Sequence, residues 1–201
     1  MTRLLGGVTL VVMLSGCASY FARRADLELF KQAVNLQRNG PRGQTLALAI
    51  YRSLDGVERG YPGVLNNMGV IYAKQGRMDQ AEVKLSQAAV MDPDSVTIWN
   101  NLGVARLLDG RPEDARAALE LVEPTGDRLL QHAVSATGQR DWDNRYRRLQ
   151  EHVQRAVARA KRCLARIEEE KPRQAVRVAD LERDLETVRV ADVRRERQSV
   201  F

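Results

Sequence analysis

The sequence predicts an all-α fold: a short array of helix-turn-helix repeats followed by a long basic helical extension. Three observations lead there. Residue usage is rich in Ala, Leu, Val, Arg and Glu with 5% aromatic residues, and Gly and Pro fall mainly between periodic segments, which favours helix over sheet. Two stretches of the chain align with each other at a spacing of 34 residues. Further on, apolar residues fall into alternating steps of three and four, the pattern of a heptad seam. At 201 residues the chain is long enough for one ordinary domain plus an appendage. A net charge of +6 is basic without being extreme; it is compatible with an anionic partner or a phospholipid surface but identifies neither.

The first element is a leader. Arg3 gives a minimal positive start, and from Leu4 to Leu14 the chain is uncharged and mostly apolar, too short for a comfortable membrane span. Small residues then lead to Cys17 in Leu14-Ser15-Gly16-Cys17. This resembles the lipobox of bacterial lipoproteins. The resemblance implies cleavage before Cys17, diacylglycerol on its sulfur and acylation of the new amine. Residues 1–16 are then the signal peptide and 17–25 a tether, and two or more acyl chains give stable anchoring. The alternatives are an ordinary signal peptide or an N-terminal helix with an incidental cysteine. Ala18 and Ser19 follow, without the Asp that retains such proteins at the inner membrane, so the resemblance points to the outer membrane, facing the periplasm.

Residues 62–95 and 96–129 form the aligned pair. Leu65 matches Trp99, Asn67 matches Asn101, Met68 matches Leu102, Gly69 matches Gly103, Gly76 matches Gly110, Ala81 matches Ala115 and Leu85 matches Leu119. Gly69 and Gly103 lie mid-helix, where glycine costs about 1 kcal/mol relative to alanine, tolerable where a neighbouring helix approaches closely. Gly76 and Gly110 fall where a first helix ends and the chain turns, which suits positive φ. Ala81 and Ala115 are small where the helix pair crosses, and Asp92-Pro93 closes the first copy. The second copy departs at Arg106, where the first has Tyr72, and its closing proline is displaced to Pro124.

The pair resembles the tetratricopeptide repeat (TPR), so the fold expected is a TPR solenoid over residues 26–138. Residues 28–61 fit the frame loosely: Ala47 and Tyr51 take second-helix positions, but Asn35 stands at the glycine position. Helices are expected there at about 25–38 and 43–57, joined by "NGPRG". With this degenerate copy the array has the roughly three units a solenoid needs. A further helix over about 128–137 would cover its end.

The extension spans 141–201. Tyr146, Leu149, Val153, Ala156, Ala160, Cys163 and Ile167 form its seam, and residues 127–166 hold ten Lys or Arg against four Asp or Glu. Pro172 should end that helix, and a second one should carry Val178, Leu181, Leu185 and Val188 on one face. The basic side is either the solvated face of a capping helix or a docking surface for an acidic partner or anionic lipid. Cys163 on the seam is most simply a small buried hydrophobe.

His132 and His152 have no Cys, His or carboxylate at metal-ligand spacing, no glycine-rich phosphate loop follows a strand, and no nucleophile set has motif support. The chain is expected to be a non-enzyme without cofactor, metal or small-molecule substrate, and export excludes nucleic acid. In the TPR family the ligand lies along the first helices. The resemblance thus implies a groove for a peptide or helix lined by Asn66, Val70, Ala73, Lys74, Asn100, Val104, Leu107 and Leu108, although either leucine has packing under the next helix as its alternative. A lipid-anchored repeat array resembles the pilotins and biogenesis lipoproteins of type IV and tight-adherence pili. That implies an envelope protein as partner; the alternative is an adaptor for polysaccharide export or outer-membrane protein assembly.

Overall fold

The computed structural model describes residues 24–55, 61–135, 142–169 and 184–185, and every regular element among them is an α-helix. They belong to two compact units, Met1–Gly56 and Val57–Phe201. The boundary falls inside the single repeat domain expected from sequence, and the second unit takes in the helix of the extension. Cys17 and the leader lie outside the described residues, as does the expected break at Pro172.

The described residues of the first unit form a helical hairpin, α1 (24–36) and α2 (Gly40–Asp55). Phe30, Ala33 and Val34 of α1 are buried, as are Ala47, Leu48, Tyr51 and Leu54 of α2. The Tyr51 hydroxyl donates to Gln37 Oε1 at 2.9 Å, giving a buried phenol the partner it requires. Its ring sits 5.9 Å from that of Phe30. The turn comes earlier than "NGPRG" implied: Gly40 already begins α2, and Pro41 occupies its first turn, where a missing N–H costs nothing. Asn35, at the position equivalent to Gly69, is exposed. Ala47 and Tyr51, equivalent to Ala81 and Leu85, are fully buried, so the departure from the repeat frame lies in α1.

The second unit opens with two hairpins, α3 (Pro62–Lys74) with α4 (Met78–Met91) and α5 (Val96–Leu108) with α6 (Pro112–Leu119). They are built alike. Each first helix ends at a glycine of positive φ, 72° at Gly76 and 73° at Gly110. A Cβ on Gly69 would stand 2.5 Å from Leu85 Cγ, and one on Gly103 would stand 2.5 Å from Leu119 Cγ. Both are closer than packed carbons approach, so glycine is what lets each pair of helices meet. Ala81 and Ala115 are fully buried at the same crossings. The Trp99 indole N–H donates to the Pro93 carbonyl at 2.7 Å, fixing the turn from α4 to α5.

The second hairpin is cut short. α6 has 8 residues against 14 in α4, and α7 (Val122–Ser135) starts inside the 34-residue frame. Pro124 does not close the copy; it occupies the first turn of α7, where proline is tolerated. α8 (Trp142–Glu169) packs against α5, α6 and α7. Its expected seam faces inward, with Val153, Ala156, Ala160 and Cys163 buried. A Cβ on Gly126 of α7 would meet Val153 Cγ1 at 2.5 Å, a close approach the sequence reading missed. No helix among the described residues is long and apolar enough to cross a membrane.

Candidate functional site

The side chains expected to line a groove are differently placed. Asn66, Val70 and Ala73 on α3, with Asn100 and Val104 on α5, are buried. Lys74 is exposed, and Leu107 and Leu108 are half-buried. α3 is buried on every side from Gly63 to Ala73, and α5 lies beneath α8. Among the described residues, Lys74, Leu107 and Leu108 are thus the groove candidates with accessible surface.

What the asparagines do instead is visible in their hydrogen bonds. Asn101 Nδ2 donates to Asn66 Oδ1 at 2.9 Å, and Asn66 Nδ2 donates to Asn67 Oδ1 at 3.1 Å. Three buried amides thus link α3 to α5, as buried polar groups must when water is excluded. Asn66, expected to read a partner, belongs to this internal ladder.

Asn100 points elsewhere. Its Nδ2 donates to the main-chain carbonyl of Asp184 at 3.1 Å, while its Oδ1 is buried with no hydrogen-bond partner. Asp184 and Leu185 are themselves buried, each 6% exposed. The Asp184 carboxylate is held from α8: Arg162 Nη2 lies 3.3 Å from Oδ1 and Arg166 Nη1 lies 3.3 Å from Oδ2. The Cys163 thiol also donates to Oδ2, at 3.6 Å. Residues at i, i+1 and i+4 of α8 therefore close around one carboxylate. Burial pushes the Cys163 thiol up to about 12, and the neighbouring Asp184 charge adds to this against the opposing charges of Arg166 and Arg162. Such a thiol is inert as a nucleophile near neutrality.

Asp184 is thus held between α5 and α8 through one main-chain contact and one carboxylate clamp, with the buried Leu185 next to it in the chain. Nothing local in the sequence joins Asn100, expected in a groove, to Asp184 beside the expected apolar position Leu185. The other described residues of 170–201 are none, so the rest of the expected second helix lies outside the described residues.

Besides Arg162 and Arg166, two basic side chains of α8 meet acidic neighbours. Lys161 Nζ donates to Glu123 Oε1 at 2.7 Å and Arg155 pairs with Glu151 along the helix at 3.8 Å, while in the reverse sense Arg116 of α6 reaches Glu168 of α8 at 3.4 Å. The Thr97 hydroxyl and His152 Nε2 meet at 3.2 Å, a further link from α5 to α8. Among the described residues no group of three or more His, Cys, Asp or Glu side chains could hold a metal ion.

A third polar cluster explains Arg106. Its guanidinium reaches both oxygens of Glu82, with Nη2 to Oε1 at 2.8 Å, and its Nη1 donates to the Asp114 carbonyl at 3.0 Å. Arg111 Nη2 takes Glu82 Oε2 at 2.8 Å. In the α3–α4 hairpin the equivalent pair is Tyr72 beneath Arg77, whose guanidinium carbon sits 4.6 Å from the ring centroid. A cation–π contact within one hairpin is replaced by an ion-pair network joining α5 and its following turn to α4.

Comparison of the chain with protein-family models and with curated proteins finds no match.

Proposed function

We propose that this chain is a lipid-anchored TPR scaffold holding a protein partner at the periplasmic face of the outer membrane. There it would serve assembly of an envelope machine such as a type IV or tight-adherence pilus or a secretion system. The observation that carries the reading is one packing device used twice: Gly69 against Leu85 and Gly103 against Leu119, 34 residues apart, each after the same glycine-ended helix. Two-helix units repeated at that period build surfaces for binding polypeptide. The anchor rests on Leu14-Ser15-Gly16-Cys17 alone. Among the accessible groove candidates, Lys74 and the half-buried Leu107 and Leu108 are the ones a partner would touch.

Two measurements test this reading. In bacterial cells the wild-type chain should incorporate radioactive fatty acid and be processed, whereas Cys17→Ser should remain an unlabelled precursor. A photo-crosslinker placed at Lys74 should capture a protein identified by mass spectrometry as a component of an envelope machine. Labelling that persists in Cys17→Ser would overturn the anchor, and capture of cytosolic proteins alone would overturn the envelope role.

A further inference from the structure

We infer that the cleft between α5 and α8 is a docking site for an acidic peptide segment with an aliphatic residue after its carboxylate, and that Asp184-Leu185 is its resident, displaceable occupant. The inference rests on the protein-binding reading above and names the chemistry of the partner.

Three features of the cleft point to exchange. The first is how the resident is recognised. Asn100 Nδ2 holds a main-chain carbonyl, a contact any polypeptide can make, while Arg162 and Arg166 together hold the carboxylate. Main-chain contact plus one side-chain clamp is the chemistry of peptide capture, in which backbone bonds hold and pockets select.

The second feature is that the resident fits incompletely. Asn100 is fully buried, yet its Oδ1 has no hydrogen-bond partner. A buried amide oxygen left unpaired is a standing penalty against this occupant. A competing segment with a backbone N–H opposite Oδ1 makes every contact the resident makes and one more.

The third is the looseness of the clamp. Both ion pairs are 3.3 Å long, Arg162 is more than half exposed, and the thiol contact is 3.6 Å. The Arg162 half of the clamp is open to solvent and screened by it, whereas Arg166 and the buried carboxylate are screened less. Tethering adds a high effective concentration to these contacts. A partner with the same acidic and aliphatic pair therefore competes with a tethered internal ligand, and the site stays closed to ligands lacking the carboxylate.

Cys163 gives a built-in reporter, since it lies under Asp184 and the Cys17→Ser chain has no other cysteine. The test uses the full-length Cys17→Ser chain, the same chain with Asp184→Ala and Leu185→Ala, and a fluorescein-labelled peptide of residues 182–190. The emptied variant should bind the peptide at least tenfold more tightly than the unemptied chain. Its Cys163 should react with a maleimide at least tenfold faster, and added peptide should restore protection. Adding Asn100→Ala, or replacing the peptide's aspartate with alanine, should weaken binding at least tenfold.

Should the emptied variant lose its helical circular dichroism, a charge reversal replaces it. The Arg162→Asp, Arg166→Asp chain should then take a peptide carrying Asp184→Arg in preference to the native one. Equal Cys163 reactivity in the emptied and unemptied folded chains would overturn the inference, as would a folded emptied variant that ignores the peptide. So would a concentration-dependent dimer in which a second copy supplies Asp184. Fatty-acid labelling of Cys17 does not involve the cleft, so a failed cleft and a failed envelope reading give different results.

Discussion

The Arg106 guanidinium donates to both carboxylate oxygens of Glu82, from α5 back to α4, with its shortest contact at 2.8 Å. Burial alone would raise the Glu82 carboxyl. The hydrogen bond and charge of Arg106, the charge of Arg111 and the Ser86 hydroxyl outweigh it and hold the group below its ordinary value of 4.5. A carboxylate favoured in the folded state contributes stability that is present above its unfolded pKa. That contribution is lost as pH falls through the folded pKa, because the unfolded chain takes up the proton first. The melting temperature of the wild-type chain should therefore fall more steeply below pH 4.5 than that of Glu82→Gln. At neutral pH Glu82→Gln should cost about 2 kcal/mol, the range for a hydrogen bond to a charged group. Parallel pH profiles in thermal melts would show that the network contributes nothing.

Gly69 and Gly76 separate two reasons for glycine. At Gly69 the obstacle is steric, Leu85 Cγ standing 2.5 Å from where a Cβ would go. Alanine there gains about 1 kcal/mol in helix propensity, against roughly 1–3 kcal/mol for overpacking, so its net cost runs from about zero to about 2 kcal/mol. Gly69→Leu gains nearly the same propensity but forces three further carbons into the contact, so overpacking outweighs the gain and it should lower stability more than Gly69→Ala in urea titrations, with Gly103→Leu behaving alike. Unchanged midpoints for both would mean that the hairpins do not pack through these glycines.

At Gly76 the obstacle is the backbone. Its φ is 72° and a Cβ would meet nothing within 4 Å. Gly76→Ala should therefore cost about 1 kcal/mol, the steric penalty of the left-handed region, with Gly76→Asn costing less because Asn tolerates that conformation. Calorimetry should rank Gly, Asn and Ala in that order at positions 76 and 110. A reversed order of Asn and Ala would argue for a different turn.

These glycines were legible in the sequence because each carries a local signal: a turn after a helical run, or a residue too small for the face it occupies. The hairpins of the second unit followed from that signal repeated at 34 residues. The first hairpin was less legible. The α1–α2 turn comes earlier than the frame places it, with Gly40 at a φ of 71°, so a periodic frame laid over it misplaces Asn35. Pro124 misled for a different reason. Proline ends a helix or begins one, and only the packing of α7 against α8 decides which. The candidate site was the least legible part. Whether Asn100 faces solvent depends on a residue 84 positions away, and no local pattern encodes which distant segment will cover a given face.

The buried amides of Asn66 and Asn101 offer the sharpest test of structural against partner-reading roles on the first helices. They are joined at 2.9 Å, and both are fully buried. Replacing Asn101 with Leu keeps the number of side-chain heavy atoms but removes the amide that donates to the Asn66 carbonyl oxygen. Breaking a buried hydrogen bond from one side costs about 1–3 kcal/mol, whereas replacing both members by apolar groups of similar shape costs much less than the sum of the single changes. Asn66→Leu, Asn101→Leu and the double variant should therefore form a strongly non-additive cycle, with a coupling of about 1 kcal/mol or more. Because the pair is internal, the capture yield from Lys74 should follow the folded fraction in all three variants. Additive stabilities with a selective loss of partner capture in Asn66→Leu would instead return Asn66 to the binding surface.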